Sequence, residues 1–178
     1  MFRFFPSSIV HLPTFRFAIL LVALLLSPTP ALADDPASPR RTLSLQIGTA
    51  QVCDSSLLPL LWLDWESPLR WHGFAPLIRF GVAEHGATYA ALGAAFPISL
   101  GPHFSLRPSW TAGHYDKGGQ NGLELGFPVE FQTSLAFCWH PSSACRLDLT
   151  IAHVSNAHLS HRNRGTEIVA LGFAFPIP

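Results

Sequence analysis

A histidine stands two residues before a serine in His153-Val154-Ser155-Asn156, and Glu167 follows a short loop later. These are the three groups of a nucleophilic hydrolase. Serine is a weak nucleophile until a histidine takes its proton, and a carboxylate orients the imidazole and stabilises its cation. On a β-strand, residues i and i+2 project from one face about 6–7 Å apart at Cα, close enough for their side chains to meet. Glu167 would reach them from the next strand, which an inter-strand spacing of about 4.8 Å permits. The bare H-x-S spacing is equally met by ordinary polar residues at a strand end. The elements that carry it therefore decide how it is read.

Those elements read as strands. Leu147, Leu149 and Ile151 share one alternate face with His153 and Ser155, against Asp148, Thr150 and Ala152 on the other. After the loop, Glu167 begins a similar row of Val169, Leu171, Phe173, Phe175 and Ile177, against Thr166, Ala170, Gly172 and Ala174. From Thr42 onward, short alternating segments separated by turn residues number eight: 43–52, 57–66, 70–83, 87–98, 104–114, 123–137, 146–156 and 167–177. That spacing is the pattern of an all-β barrel or sandwich. Strands apolar on one alternate set and small or polar on the other suit a barrel with lipid outside and a polar lumen. The tryptophans at 62, 65, 71, 110 and 139 fit aromatic girdles at its rims. The expected fold is all-β, an eight-stranded antiparallel transmembrane β-barrel of the outer-membrane type. Prolines 76, 97, 108 and 128 fall inside the expected strands, where proline cannot donate to a ladder.

Composition agrees with export and with a membrane setting. Arg3 and Arg16 precede the apolar run Phe17 to Leu26, then Pro28, Pro30 and the small-x-small triplet Ala31-Leu32-Ala33. This is the order of a cleaved secretory signal peptide over residues 1–33, with the barrel domain over 34–178. The run is too short to span a bilayer as a helix, which takes about 20 apolar residues. The chain is 48% hydrophobic, 12% charged and of zero formal net charge, which excludes the basic surface that nucleic-acid binding needs. Its nine histidines and three cysteines form no array with zinc-ligand spacing, so no metal and no cofactor are expected. Cys138 and Cys145 flank the turn-like His140-Pro141-Ser142-Ser143-Ala144, so a disulfide across that hairpin is expected, with Cys53 unpaired.

With both termini in the periplasm, the Cys138–Cys145 hairpin is a periplasmic turn. The connection from Asn156 to Glu167 then lies at the outer surface. Its basic residues, His158, His161, Arg162 and Arg164, would meet anionic lipopolysaccharide head groups. His153, Ser155 and Glu167 interrupt two rows that otherwise face hydrocarbon, at their outer ends. An ionisable group there is costly, which makes a functional reading the default.

The segment from His153 to Glu167 resembles the active-site region of the lipid A 3-O-deacylase (PagL) family. The likeness lies in His153-Val154-Ser155-Asn156-Ala157, then Asn163, Gly165 and Glu167 at matching offsets, and a last strand ending near Pro176-Ile177-Pro178. It is specific over about the last thirty residues; upstream, length and strand count agree. The resemblance implies an outer-membrane barrel with a serine hydrolase site on its lipid-facing surface. Ser155 would be the nucleophile, His153 the general base and Glu167 the orienting acid. Asn156 and Asn163 match positions near that site and are candidates for oxyanion stabilisation or loop ordering. The implied reaction is hydrolysis of the 3-O-linked acyl ester of lipid A, without metal, with lipid A or lipopolysaccharide and the surrounding outer-membrane lipid as partners. A non-catalytic barrel with an adhesive or structural role is the alternative from another class. A phospholipase-type hydrolase or acyltransferase with the same triad is a further one. The sequence leaves oligomeric state open, a homodimer included.

Overall fold

The computed structural model describes residues 40–53 and 57–178; the expected signal peptide lies outside them. Within the described residues the chain forms β1 (Arg41–Ala50), β2 (Leu58–Glu66), β3 (Ala75–Ala83), β4 (Thr88–Ala95), a two-residue β5 (Ile98–Ser99), β6 (Phe104–Asp116), β7 (Val129–Ser142), β8 (Cys145–Ser155) and β9 (Thr166–Ile177). Every pairing is antiparallel. The sheet runs β4-β3-β2-β1-β9-β8-β7-β6, and β4 pairs with β6 to close it. Eight long strands thus make a barrel with no free edge, as expected, and β5 is a short appendage on the start of β6. Closure satisfies every ladder group internally, which a lipid setting demands.

The ends of the barrel differ. Arg41 pairs with Ile177, so the first and last strands meet at one end, with turns 67–74 and 96–103 and the hairpin 143–144. The end of β1, the start of β2 and the connections 84–87, 117–128 and 156–165 share the other, distal end.

The third expected strand starts late because Trp71 and Phe74 exchange backbone hydrogen bonds at 3.0 and 2.9 Å around His72 (φ 49°) and Gly73 (φ 87°). Two left-handed central residues are the signature of a type I′ turn, which glycine favours. The sixth begins at Val129 rather than Leu123, because residues 117–128 fold across the distal mouth. The prolines find places that need no donor. Pro97 and Pro128 lie outside the strands, and the Pro128 carbonyl accepts from Tyr115 N at 2.7 Å. Pro76 and Pro108 sit just beyond the ends of the β2–β3 and β4–β6 ladders. Their carbonyls accept from Ser67 N and Phe96 N, both at 2.9 Å. A residue's N and C=O face the same neighbour in an antiparallel pair, so the missing N–H removes no ladder bond.

The expected disulfide is not formed: Cys138 and Cys145 are both free. Cys138 pairs with Asp148, three residues beyond Cys145, and an irregularity between Trp139 and Ser142 shifts the register of the hairpin. Three strand residues span about 10 Å, well past the roughly 7 Å Cα limit of a disulfide.

Side chains alternate strictly along residues 129–139 of β7 and 147–154 of β8. The outward set is apolar and exposed, Ile47, Leu92, Ile151 and Leu171 among its most uncovered members. A continuous apolar surface of this kind is a hydrocarbon-facing band rather than the exterior of a water-soluble fold. The inward set divides into two. Near the strand termini, Arg79 clasps Asp64 through Nε and Nη2, both at 2.7 Å; Arg146 holds Asp148 at 2.7 and 2.9 Å; and Arg107 Nε donates to Glu66 at 2.7 Å. Thr150 Oγ1 donates to Gln46, whose amide donates to Asp64, extending this lattice along the lumen. Distally the lumen turns apolar, where Trp62, Val154 and Ile168 pack with Leu125 from the 117–128 loop.

Candidate functional site

The candidate residues His153, Ser155 and Glu167 lie at the distal rim. Alternation on β8 turns His153 outward while Val154 is buried; Ser155, two residues on, takes the same side at the strand end. On β9 the same rule turns Glu167 outward between buried Thr166 and Ile168. The register sets His153 directly opposite Glu167. His153 Nδ1 and Glu167 Oε1 are 3.4 Å apart, and each side chain is 49% exposed. Outward-facing groups of opposite charge preference thus meet at the edge of an apolar band, and the carboxylate fixes which imidazole nitrogen is engaged.

With Nδ1 turned to Glu167, Nε2 is the ring nitrogen outside that pair. The backbone at Gly165 lies against that side of the ring: a Cβ there would stand 2.6 Å from Cε1 and 3.0 Å from Nε2. Any side chain at 165 would push the imidazole off its position, a constraint that spacing could not reveal.

Asn156 and Asn163 hold the loop that carries this glycine. Asn156 is fully buried; its amide donates to the Arg162 carbonyl at 2.7 Å and to the Leu125 carbonyl at 3.3 Å. Asn163 Oδ1 accepts from the Asn156 backbone N–H at 3.1 Å, and its Nδ2 lies 3.4 Å from His158 Nδ1. Ala157 and His158 are both left-handed, at φ 50° and 63°, which turns the chain away from β8. Asn156 therefore points into the protein, away from the face shared by His153 and Ser155. The neighbouring 117–128 loop is locked in turn: Gly126, at φ 94°, packs so closely on Arg162 that a Cβ would collide with its carbonyl. Lys117 bonds Glu124 at 2.9 Å, and that hydrogen bond holds the Glu124 carboxyl below its ordinary range.

Below the site runs an open furrow on the apolar exterior, lined by Val52, Trp110, Thr133, Leu135, Ile151 and Val169. Thr133 lies beside His153 on β7, and Trp110 beside Thr133 on β6. A small side chain between the imidazole and the indole leaves the approach to His153 uncovered. Among the described residues no group of three or more His, Cys, Asp or Glu is arranged to hold a metal ion. Sequence reasoning missed Leu125 and Gly126, whose role arises from contact between two distant loops.

A family model described as lipid A 3-O-deacylase (PagL) matches residues 55–176. The crystal structure of the outer membrane enzyme PagL superposes with a TM-score of 0.57 at 17% identity, covering 76% of this chain and 99% of that one. A de novo designed transmembrane β-barrel superposes with a TM-score of 0.52 at 10% identity, covering 82% of this chain and all of the design. At these identities the superpositions speak for the fold. No curated protein matches the sequence with significance.

Proposed function

The chain belongs to the lipid A 3-O-deacylase family, and on that premise we propose that it hydrolyses the 3-O-linked acyl ester of lipid A through Ser155, His153 and Glu167. The observation that carries the reading is the cross-strand His153–Glu167 pair, 3.4 Å apart on the hydrocarbon-facing surface, with Ser155 on the same face. A buried polar pair would have a structural explanation; a half-exposed pair at the edge of an apolar band has little. Fold alone is no argument for chemistry, since a designed barrel shares it.

Ser155 Oγ attacks the ester carbonyl as His153 Nε2 takes its proton, and Glu167 stabilises the resulting imidazolium through Nδ1. The tetrahedral intermediate collapses when the imidazolium protonates the departing 3-oxygen of lipid A, leaving the acyl group on Ser155. Water, deprotonated by His153, then releases the fatty acid and restores the serine. Lipid A esters lie near the head-group boundary of the outer leaflet, and the distal rim would meet them there. The cleaved acyl chain runs down along the furrow beneath His153. Asn156 and Asn163 serve by ordering the loop, since the Asn156 amide is spent on two carbonyls and its N–H on Asn163. Export to the outer membrane would use residues 1–33 as a cleaved signal.

Refolded protein incubated with lipopolysaccharide and, separately, with phospholipid tests this by mass spectrometry of the products. Loss of one 3-hydroxyacyl chain from lipid A, absent with Ser155→Ala and His153→Asn, is expected. Unchanged lipid A in both micelles and bilayers contradicts the reading, and hydrolysed phospholipid in its place assigns the site to another lipid.

A further inference from the structure

Among the described residues, the arginines in and around the barrel mouth near the chain termini outnumber the acidic side chains that hold them. In the half of the barrel near the strand termini, Asp64, Glu66 and Asp148 are each engaged, by Arg79, Arg107 and Arg146 respectively. Arg70 adds a second guanidinium to Glu66 at 3.0 Å, although Arg107 already occupies that carboxylate's other oxygen. Arg40 has no acidic partner among the described residues. These cations converge: Arg40, Arg70, Arg107 and Arg146 line one recess in the barrel mouth opposite the proposed catalytic patch, and among the described residues Glu66 is the only acidic side chain on its wall. The recess measures about 330 Å³.

We propose that this recess is a binding site for a phosphate-class oxyanion. The excess of positive charge sits in a concavity with low-dielectric walls, which concentrates its field on whatever enters. Guanidinium forks match oxyanion geometry and form charge-assisted hydrogen bonds. Arg146 commits Nε and Nη2 to Asp148, leaving Nη1 outside that pair. Hydroxyl groups complete the wall: Ser105, which bonds His140 Nε2 at 2.9 Å, with Ser142 and Ser143 on the hairpin. An anion here gives the guanidinium groups lining the recess a partner beyond Glu66. Two sources supply the same chemistry, phosphate in solution and the phosphate of a phospholipid head group. Phe175 and Pro176 on the same wall bring the recess toward the lipid side.

The test is the thermal unfolding of the refolded, full chain in nonionic micelles at constant ionic strength. Chloride is replaced stepwise by inorganic phosphate in one arm, and the micelles are doped with dihexanoyl phosphatidic acid in the other. The proposal expects a saturable rise in unfolding temperature. Half-saturation should be at least about tenfold weaker in the Arg40→Gln, Arg70→Gln double variant, since two charge-assisted contacts are lost. Arg40→Gln alone leaves the Glu66 pairs intact, so a weaker response in that variant, with its unfolding in chloride unchanged, separates binding from folding. A response to free phosphate assigns the source to solution; a response to phosphatidic acid alone assigns it to lipid. Phosphate and phosphatidic acid curves that follow the chloride control, or curves identical in wild type and both variants, overturn the proposal.

Discussion

Two acid–base pairs in this barrel follow opposite rules. Asp64 and Arg79 are 1% exposed and joined by two contacts of 2.7 Å. His153 and Glu167 are 49% exposed and stand 3.4 Å apart. The first pair lies in the lumen, where an unpaired charge is costly and the carboxylate is held by two guanidinium contacts. The second lies on the outside, where it contributes little to folding and keeps one imidazole nitrogen free. Burial and two short contacts mark the scaffold pair; exposure and a single longer contact set the outer pair apart.

Substitutions should separate these roles. Ser155→Ala should lower kcat/KM for lipid A by at least about a thousandfold, because the reaction loses its nucleophile. Its urea unfolding midpoint should match wild type. Asp64→Asn should behave in the opposite sense, losing about 3–5 kcal/mol in urea unfolding because it strands the Arg79 guanidinium. His153→Asn, by contrast, should stay within about 0.5 kcal/mol of wild type in the same unfolding measurement. A large stability loss from His153→Asn would erase the distinction between the pairs.

Gly165→Ala should leave the barrel folded and reduce kcat by about a hundredfold, as a displaced imidazole loses its alignment. Steady-state kinetics should show KM little moved. The smallest effect belongs to the Lys117–Glu124 pair, which is exposed and screened by solvent. The Glu124 carboxyl is held below its ordinary range, so the pair's contribution is present above the unfolded carboxyl value. It is lost as pH falls through the lowered folded value. Limited proteolysis of the 117–128 loop should therefore quicken on acidification in wild type. In Lys117→Ala that extra sensitivity should be missing.

Much of this was readable from period two. The rows Leu147 to Ser155 and Glu167 to Ile177 announce which side chains look outward, and the closed barrel puts them there. Where the chain leaves the strand, the pattern misleads. Leu123 and Leu125 alternate as a strand would, yet Leu125 is 2% exposed because it plugs the distal mouth from a loop. Asn156 falls on the inward set by the same alternation and is buried there, but its bonds to the Arg162 and Leu125 carbonyls, which tie two loops together, are not encoded in that pattern. The two cysteines flank a convincing turn, but the register shift near Trp139 separates them. Each miss depends on contact between segments distant in sequence, or on a local irregularity that composition does not encode.

The central claim is that a serine on the hydrocarbon-facing surface is the nucleophile. A fluorophosphonate with a long alkyl chain, added to the protein in lipid bilayers, tests it most directly. One covalent adduct on the peptide bearing Ser155, with deacylation lost in proportion, is the predicted result. An adduct on another residue, or none while a Ser155→Ala variant still deacylates lipid A, would contradict it.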